Sequence, residues 1–255
     1  MKLIIAANWK MHKTGREAKE FCLELLQKED DYKGVEVLIC PPFTALSAAA
    51  AELKDSSVKL GAQNLYPGQQ GAFTGEISAA MLKEAGVKYV IIGHSERRHL
   101  MGEDDSLVAR KIEAAYENGL NPILCVGEKE EEREAGTTEK VLEKQLAAAL
   151  QKLEPEQVKS LVIAYEPVWA IGTGKAASAD DAASAADFIY SYLDKHFGKD
   201  AAAGVRIQYG GSVKAENIGS FVTLEHVHGA LVGGASLEAG SFSELVRAAR
   251  KAVEG

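Results

Sequence analysis

The sequence predicts an α/β protein that folds as one closed (β/α)8 barrel, with residues 1–255 as a single domain. Eight short apolar runs recur along the chain. Many of the segments between them show helical periodicity. Hydrophobic residues make up 46% of the chain, which is enough for a large core. No linker or low-complexity tract divides the sequence, and barrels of this length are commonly single domains.

The predicted strands are apolar throughout rather than alternating, as expected of parallel strands buried on both faces. They cover residues 3–7, 35–40, 58–62, 89–92, 122–126, 161–165, 205–209 and 229–232. The helical patterns between them are clearest at residues 16–28, 45–53, 105–118, 138–153 and 179–196. Turn and cap residues separate the elements, such as Asn118-Gly119 after a helix and Ser178 before one.

Polar or special residues follow most of the strands. Taken in order they are Asn8 and Lys10, Gln63 and Asn64, Gly93-His94-Ser95, Gly127-Glu128, Glu166, Gly210-Gly211-Ser212 and Gly233-Gly234. In a barrel all of these strand ends meet on one face, where such enzymes build their sites. The rival fold is an open doubly wound sheet, but that fold favours a glycine-rich phosphate turn after its first strand. Here that turn is Asn8-Trp9-Lys10-Met11.

Composition excludes several classes of partner. The 29 basic and 37 acidic residues give a net charge of −8, which argues against nucleic acid. No apolar run approaches the 18 residues of a spanning helix, so no membrane partner is expected. The apolar start of the chain is short and meets Asn8-Trp9-Lys10 without a signal-peptide cleavage site. Three widely spaced cysteines indicate reduced thiols and a cytoplasmic protein.

The most informative stretch is residues 164–175. An apolar strand ends on the carboxylate of Glu166, and Pro167 prevents the strand from continuing as a central one. A glycine-rich loop follows, here called the lid segment (residues 167–175), with Trp169 and Ile171 as apolar side chains. This pattern predicts a base that removes a proton from a small substrate under a closing loop. The alternative is a surface glutamate before an ordinary loop.

Glycine pairs follow the last two strands. Gly210-Gly211-Ser212 and Gly233-Gly234 would let backbone N–H groups approach an anion, and a short helix opening at Ala235 would point its positive end into the same space. Loops after strands seven and eight are the usual phosphate site of barrels. Gly172 of the lid segment could add one more N–H. The alternative is two tight turns.

Two further side chains fit a site for an anionic substrate. His94 opens a helical turn, where the helix N-terminus disfavours a cationic imidazole, so we expect a neutral hydrogen-bond donor. Lys10 would be the one fixed positive charge in the site. No metal and no cofactor are expected, because His94 and His99 do not share a helix face. His226 and His228 precede strand eight, at the opposite end of the barrel.

Together these motifs closely resemble the triosephosphate isomerase family along the whole chain. The segments that carry the resemblance are residues 8–11, 61–64, 71–76, 93–98, 125–128, 164–175, 209–213 and 231–237. Departures are few: Ala7 stands where glycine is common, His228 where aspartate is frequent, and Met101 where an aromatic residue is frequent.

The resemblance implies an aldose–ketose isomerase that interconverts D-glyceraldehyde 3-phosphate and dihydroxyacetone phosphate through an enediolate, in glycolysis and gluconeogenesis. Glu166 would move the proton between C1 and C2, His94 would polarise the carbonyl, and Lys10 would stabilise negative charge. The remaining positions would bind substrate (Asn8, Gly172, Ser212, Gly233 and Gly234) or support the site (Ser95, Glu96, Ile171, Tyr209 and Leu231).

The resemblance also implies a homodimer. A loop from Gln63 and Asn64 to Phe73, Thr74, Gly75 and Glu76, here called the finger segment (residues 63–76), would insert beside Asn8 and Lys10 of a second copy. Two other readings stay open at this stage: a barrel that retains binding but not turnover, and a different phosphate-binding barrel enzyme. A barrel glycosidase is disfavoured because it needs two facing carboxylates.

Overall fold

The computed structural model describes residues 1–171 and 177–254 and shows a closed barrel of eight parallel strands. The strands are hydrogen-bonded in chain order, and β8 pairs with β1 to close the ring. This confirms the predicted fold class and excludes the open sheet. The strands are β1 Leu3–Asn8, β2 Val35–Cys40, β3 Lys59–Ala62, β4 Tyr89–Ile92, β5 Asn121–Val126, β6 Val162–Tyr165, β7 Arg206–Tyr209 and β8 Gly229–Val232.

Twelve α-helices surround the barrel within the described residues. They are α1 Gly15–Leu26, α2 Leu46–Leu53, α3 Ala79–Glu84, α4 Ser95–Leu100, α5 Asp105–Glu117, α6 Glu130–Glu134, α7 Thr138–Leu150, α8 Pro155–Lys159, α9 Ala179–Phe197, α10 Lys199–Gly204, α11 Ile218–Val222 and α12 Ala239–Glu254. Side-chain caps fix several starts: the Thr14 hydroxyl accepts the Glu17 N–H, and Ser178 caps α9. None of the helices in the described ranges is long and apolar enough to cross a membrane.

Six of the eight strands contribute to two separate cores, which explains why their sequences are largely apolar, whereas β3 and β7 contribute only to the outer core. On β1, Leu3, Ile5 and Ala7 pack outward against the helices, whereas Ile4 and Ala6 belong to an inner core that fills the barrel. Both sets are fully or almost fully buried. Neighbouring side chains on a strand point to opposite faces, so both faces here must be apolar.

Glycine permits the barrel to close. Gly229 begins β8 at φ +149, opposite Ile4 of β1, and a Cβ at this position would overlap the backbone carbonyl of Ile4. A side chain would therefore force the first and last strands apart. The two strands continue in register from this point to the pair Ala7 and Val232.

A polar layer lies at the amino-terminal ends of the strands, away from the predicted site. Arg206 pairs with Glu36, and the Tyr89 hydroxyl donates to Glu36 at 2.8 Å. Beside this layer, His228 accepts the Ile207 N–H on Nδ1 at 3.2 Å. Burial and the positive charge of the chain's amino terminus lower the pKa of His228 to about 4. His228 is therefore a neutral hydrogen-bond acceptor. In the family that the sequence resembles, aspartate is frequent at this position.

The finger segment projects from the carboxyl end of β3. Its base is buried: Asn64 accepts a 2.6 Å hydrogen bond from Lys111, and the Gln63 amide donates to the Lys10 carbonyl at 2.9 Å. Residues 69–76 are exposed, and Phe73 stacks on Tyr66 with ring centroids 4.3 Å apart.

Candidate active site

A cavity of roughly 620 Å³ opens at the carboxyl ends of the strands. Its lining combines the predicted residues Asn8, Lys10, His94, Glu166, Ile171, Ser212, Leu231, Gly233 and Gly234 with Gly210, Gly211 and a rim that includes Lys214, Glu216, Ser241 and Glu244. The structure thus brings together residues that lie up to about 225 positions apart in sequence, because five strand ends converge on one face.

Glu166 follows β6 directly and its side chain is almost completely buried. One carboxylate oxygen lies 2.9 Å from His94 Nε2, and the other accepts the Ser95 N–H at 2.9 Å. Burial alone would raise the pKa of Glu166, but the His94 imidazole and the Ser95 N–H outweigh it and hold that pKa below its usual value. The buried carboxylate is therefore ionised at neutral pH.

His94 is the N-cap of α4, and its Nδ1 accepts the Glu96 N–H at 3.2 Å. A ring nitrogen that accepts carries no proton, so this contact assigns the proton of the neutral ring to Nε2, facing Glu166. Burial disfavours a charged imidazole, yet the facing Glu166 carboxylate outweighs burial and raises the pKa of His94. Two influences thus oppose each other: the Glu166 charge favours a second proton and the Glu96 N–H disfavours it.

Lys10 adopts a left-handed backbone conformation (φ 51) just after β1. The Asn8 side chain accepts the Lys10 N–H at 3.1 Å, and Gln63 donates to the Lys10 carbonyl. Nζ of Lys10 forms an ion pair with Glu96 at 2.7 Å. Such strain persists where surrounding contacts enforce it and is characteristic of functional positions. The expectation that Lys10 is the sole positive charge in the cavity is wrong, because Lys214 also lines it.

The glycines after β7 approach other groups too closely for a side chain, whereas Gly233 and Gly234 after β8 have room for one. A Cβ at Gly210 would lie 2.9 Å from Glu166 Cγ, and one at Gly211 would overlap the Tyr209 hydroxyl. After β8 the chain forms a short 3-10 helix, Gly234–Ser236, at the place where a helical turn was predicted. Both loops line the cavity, and their glycines leave the backbone there without the bulk of side chains.

The supporting residues occupy different depths. Leu231 belongs to the inner core, whereas Ile171 is half-buried at the cavity wall. The Tyr209 hydroxyl is buried and has no hydrogen-bond partner among the residues that the structure describes. Gly172, predicted to bind phosphate, lies outside the described residues, as does the rest of the lid segment beyond Ile171.

A network that sequence reasoning missed surrounds the start of the lid segment. The Trp169 indole N–H donates to Glu128 at 2.8 Å, and Tyr165 donates to the same oxygen at 3.1 Å. The Arg133 guanidinium lies 4.0 Å from the centre of the Trp169 ring and pairs with Asp181 at 2.8 Å. These residues come from five different segments, and no local pattern links them. Lys214 was within reach of prediction, since it follows Ser212 by two positions.

Within the described ranges, no group of three or more histidine, cysteine, aspartate or glutamate side chains is placed to hold a metal ion. The side chains that line the cavity include an ionised carboxylate, an imidazole and an ammonium group. This set suits proton transfer on a small anionic molecule.

The family model described as triosephosphate isomerase matches residues 3–249. The chain belongs to the triosephosphate isomerase family. Triosephosphate isomerase of Symbiobacterium thermophilum is 53% identical over 98% of this chain and 97% of its own length. The enzyme of Carboxydothermus hydrogenoformans is 54% identical over 96% and 98%, and that of Finegoldia magna is 52% identical over 96% and 98%.

Membership of the triosephosphate isomerase family confirms the predicted activity. The protein is an isomerase, and its reaction interconverts D-glyceraldehyde 3-phosphate and dihydroxyacetone phosphate, a step of glycolysis. Its substrate is a phosphorylated triose. The alternatives of a binding protein without turnover and of a different phosphate-binding enzyme are set aside by this assignment.

Proposed function

We propose that Glu166 is the base that carries the proton between C1 and C2 of the triose phosphate, through an enediolate intermediate. The observation that supports this most strongly is its environment: a buried, ionised carboxylate at the cavity wall, held by the His94 ring and the Ser95 N–H. A carboxylate without water around it is a stronger base toward carbon than one in bulk solvent. Both oxygens are engaged without substrate, so Glu166 must turn away from α4 to reach a carbon atom.

His94 and Lys10 supply the complementary charge. With Nδ1 fixed as an acceptor, the Nε2–H of His94 is free to donate to the substrate carbonyl once Glu166 has moved away. Lys10, held by Glu96, offers a permanent positive charge to the developing enediolate and, with Asn8, to the substrate oxygens. Donors fixed before the reaction lower its barrier because they need no reorganisation as charge develops.

The phosphate group fits the glycine loops. We assign Ser212, Gly233 and Gly234 to phosphate binding, with Gly172 of the lid segment closing over it. Tyr209 lies next to Gly211 in the loop after β7, and its buried hydroxyl is available to a hydrogen-bond partner. Ile171 and Leu231 line the cavity as apolar side chains beside the base. Exclusion of water by the lid segment would protect the enediolate from losing its phosphate.

The decisive test replaces Glu166 by glutamine. Glu166→Gln keeps the shape of the side chain but cannot accept a proton, so kcat should fall by at least ~10²–10⁴. A coupled assay measures the rate, and circular dichroism checks the fold. Glu225→Gln, which removes the same charge from an exposed position before β8, is the matched control and should keep wild-type activity. A Glu166→Gln enzyme with more than a tenth of wild-type kcat would exclude Glu166 as the base.

We also propose that the protein acts as a cytoplasmic homodimer. Large apolar side chains are exposed on and around the finger segment: Met11 95%, Phe73 46%, Met81 54%, Leu100 79% and Met101 62%. Contiguous exposed apolar surface generally marks an interaction site. The exposed half of the finger segment, including Thr74 and Gly75, would insert beside Asn8 and Lys10 of a second copy. Gln63, half-buried at the base of the segment, already supports Lys10 within the same subunit.

A further inference from the structure

We infer that Arg133 is a positioning residue that joins the two ends of the lid segment through a single guanidinium group. The inference rests on the proposed role of the lid segment in excluding water. Arg133 is in the last turn of α6, a short helix after β5, and its side chain is 38% exposed. Its contacts in the described part of the chain are with Trp169 and Asp181, neither of which is assigned to proton transfer or phosphate binding.

At the first end of the lid segment, the guanidinium carbon of Arg133 lies over the Trp169 ring, 4.0 Å from its centre. The indole N–H is fixed at the same time by the Glu128 carboxylate, a buried group. Trp169 is thus held by two contacts, one over its ring and one at its N–H. Guanidinium–indole stacking is among the more favourable cation–aromatic contacts.

At the other end, the edge of the same guanidinium pairs with Asp181 at 2.8 Å. Asp181 is the third residue of α9 and closes its capping box: it accepts the Ser178 N–H at 2.9 Å and the Ser178 hydroxyl at 2.8 Å. Asp181 therefore helps to fix the start of α9, the first helix after the lid segment.

An arginine can do both tasks because its face stacks while its edge donates. A lysine could pair with Asp181 but would present no planar face to Trp169. The arrangement makes the positions of Trp169 and Asp181 depend on each other, although 12 positions separate them in sequence. A partly exposed ion pair contributes little to global stability. Loss of Arg133 should consequently affect the lid segment more than the fold.

The test uses Arg133→Met, Arg133→Lys and Asp181→Asn, with three measurements on the purified enzyme. These are kcat in a coupled assay, the thermal midpoint, and the fraction of turnovers that release inorganic phosphate and methylglyoxal, followed by NMR. In that side reaction the C–O bond of the exposed enediolate breaks, its electron pair leaves with phosphate, and the remaining enol rearranges to methylglyoxal.

We expect Arg133→Met to lower kcat at least tenfold and to raise the phosphate-releasing fraction at least fivefold, with the thermal midpoint shifted by no more than about 2–4 °C. Arg133→Lys should have the wild-type thermal midpoint, because the charge remains. Its phosphate-releasing fraction should lie between those of the wild type and Arg133→Met, because the stacking face is lost. The double variant Arg133→Met/Asp181→Asn should be no worse than Arg133→Met alone, since both act through one bridge.

Two controls separate this inference from the proposed function. Arg16→Met changes an exposed arginine on α1 and should leave all three measurements unchanged. A variant in which residues 170–175 are replaced by a tight turn should release phosphate. If it does not, the proposed lid role is wrong, whatever Arg133 does. If it does release phosphate, two results would contradict the role of Arg133. One is an Arg133→Met enzyme with wild-type kcat and product ratio. The other is a double variant in which the effects of Arg133→Met and Asp181→Asn on kcat multiply as independent factors.

Discussion

At the scale of single residues, the site is organised around charges that are paired before substrate arrives. Glu166 faces His94, and Lys10 faces Glu96 across 2.7 Å. Each of these two proposed catalytic groups is thus held in place by a partner of opposite charge or by a hydrogen-bonding ring. Uncompensated buried charge is costly, so this pairing reconciles a reactive site with a stable protein.

Lys10→Ala should weaken the binding of an anionic analogue such as 2-phosphoglycolate at least tenfold. One charge-assisted contact is worth ~1.5–3 kcal/mol, and the variant also leaves Glu96 unpaired beside the anion. Titration calorimetry gives the affinity. Lys54→Ala removes the same charge from an exposed position after α2 and serves as the control for net charge. Equal affinities of the two variants would contradict the assignment of Lys10.

At the scale of elements, glycine at defined strand ends decides whether the barrel closes. Gly229 must allow β8 to approach Ile4 of β1, and Gly127 leaves room for the Glu166 carbonyl, which a Cβ would overlap. The first contact concerns the stability of the ring and the second the placement of Glu166. Both are steric requirements of the backbone and do not depend on the polarity of the new side chain.

Gly229→Ala should lower the free energy of unfolding by at least ~2–4 kcal/mol, because β8 must move away from β1 or leave its φ of +149. Urea unfolding followed by circular dichroism measures the change. Gly219→Ala is the matched substitution: it lies in α11, where the new Cβ would be 3.4 Å from the Ala252 side chain. It should be neutral or stabilising by up to ~1 kcal/mol. Similar losses in both variants would show that strand closure is not the cause.

Elements were predictable from sequence where a local pattern fixes them. The bounds of β2, β4 and β8 agree with prediction, since buried apolar runs end sharply at proline or glycine. Short helices such as α8 and α10 were not predicted because five or six residues are too few for a helical period to stand out. The site residues at strand ends were predictable once the barrel was assumed. The contact of Arg133 with Trp169 and Asp181 was not, because it joins segments far apart in sequence.

At the scale of the whole molecule, exposed apolar surface and a half-buried histidine set the conditions under which the fold persists. The finger segment contacts the Lys10 loop through the Gln63 amide, so the proposed association and activity should be linked. His228 lies among positive groups at the opposite end of the barrel, where protonation acts on stability without touching the site.

Replacing residues 66–74 by a tight turn should give a monomer with strongly reduced kcat and a retained helical circular dichroism spectrum. The finger segment carries the exposed Phe73 and is the part that would insert into a second copy, so its loss would leave the Lys10 loop without the support of a partner. Sedimentation reports the mass and a coupled assay the rate. A wild-type chain that sediments at 27 kDa with full activity at micromolar concentration would refute the proposed dimer.

Acid should destabilise the wild type partly through His228. Its folded-state pKa of about 4 lies below the ordinary value of 6.5, so the unfolded chain binds the proton first. The stability that neutral His228 provides is fully present above pH 6.5 and is lost as the pH falls toward 4. A shift of this size corresponds to ~3 kcal/mol at most, and the partial exposure of His228 reduces it to ~1–2 kcal/mol.

The pH effect is measured by urea unfolding at pH 7 and pH 4.5. His228→Gln should lose ~1–2 kcal/mol less than the wild type over this interval, since its side chain does not titrate. His12→Gln, at an exposed position, should behave as the wild type. If the free energy of unfolding depends on pH identically in all three proteins, His228 does not contribute to the loss of stability in acid.

The division of six of the eight strands between an inner and an outer core also bears on how this protein can change over evolution. A substitution within a strand alters one side chain, but an insertion or deletion of a single residue would exchange the inward and outward sets along the rest of that strand. Length changes are therefore confined to the loops, half of which form the active site. The loops, which tolerate insertions and deletions best, are thus also the part of the molecule that selects substrates.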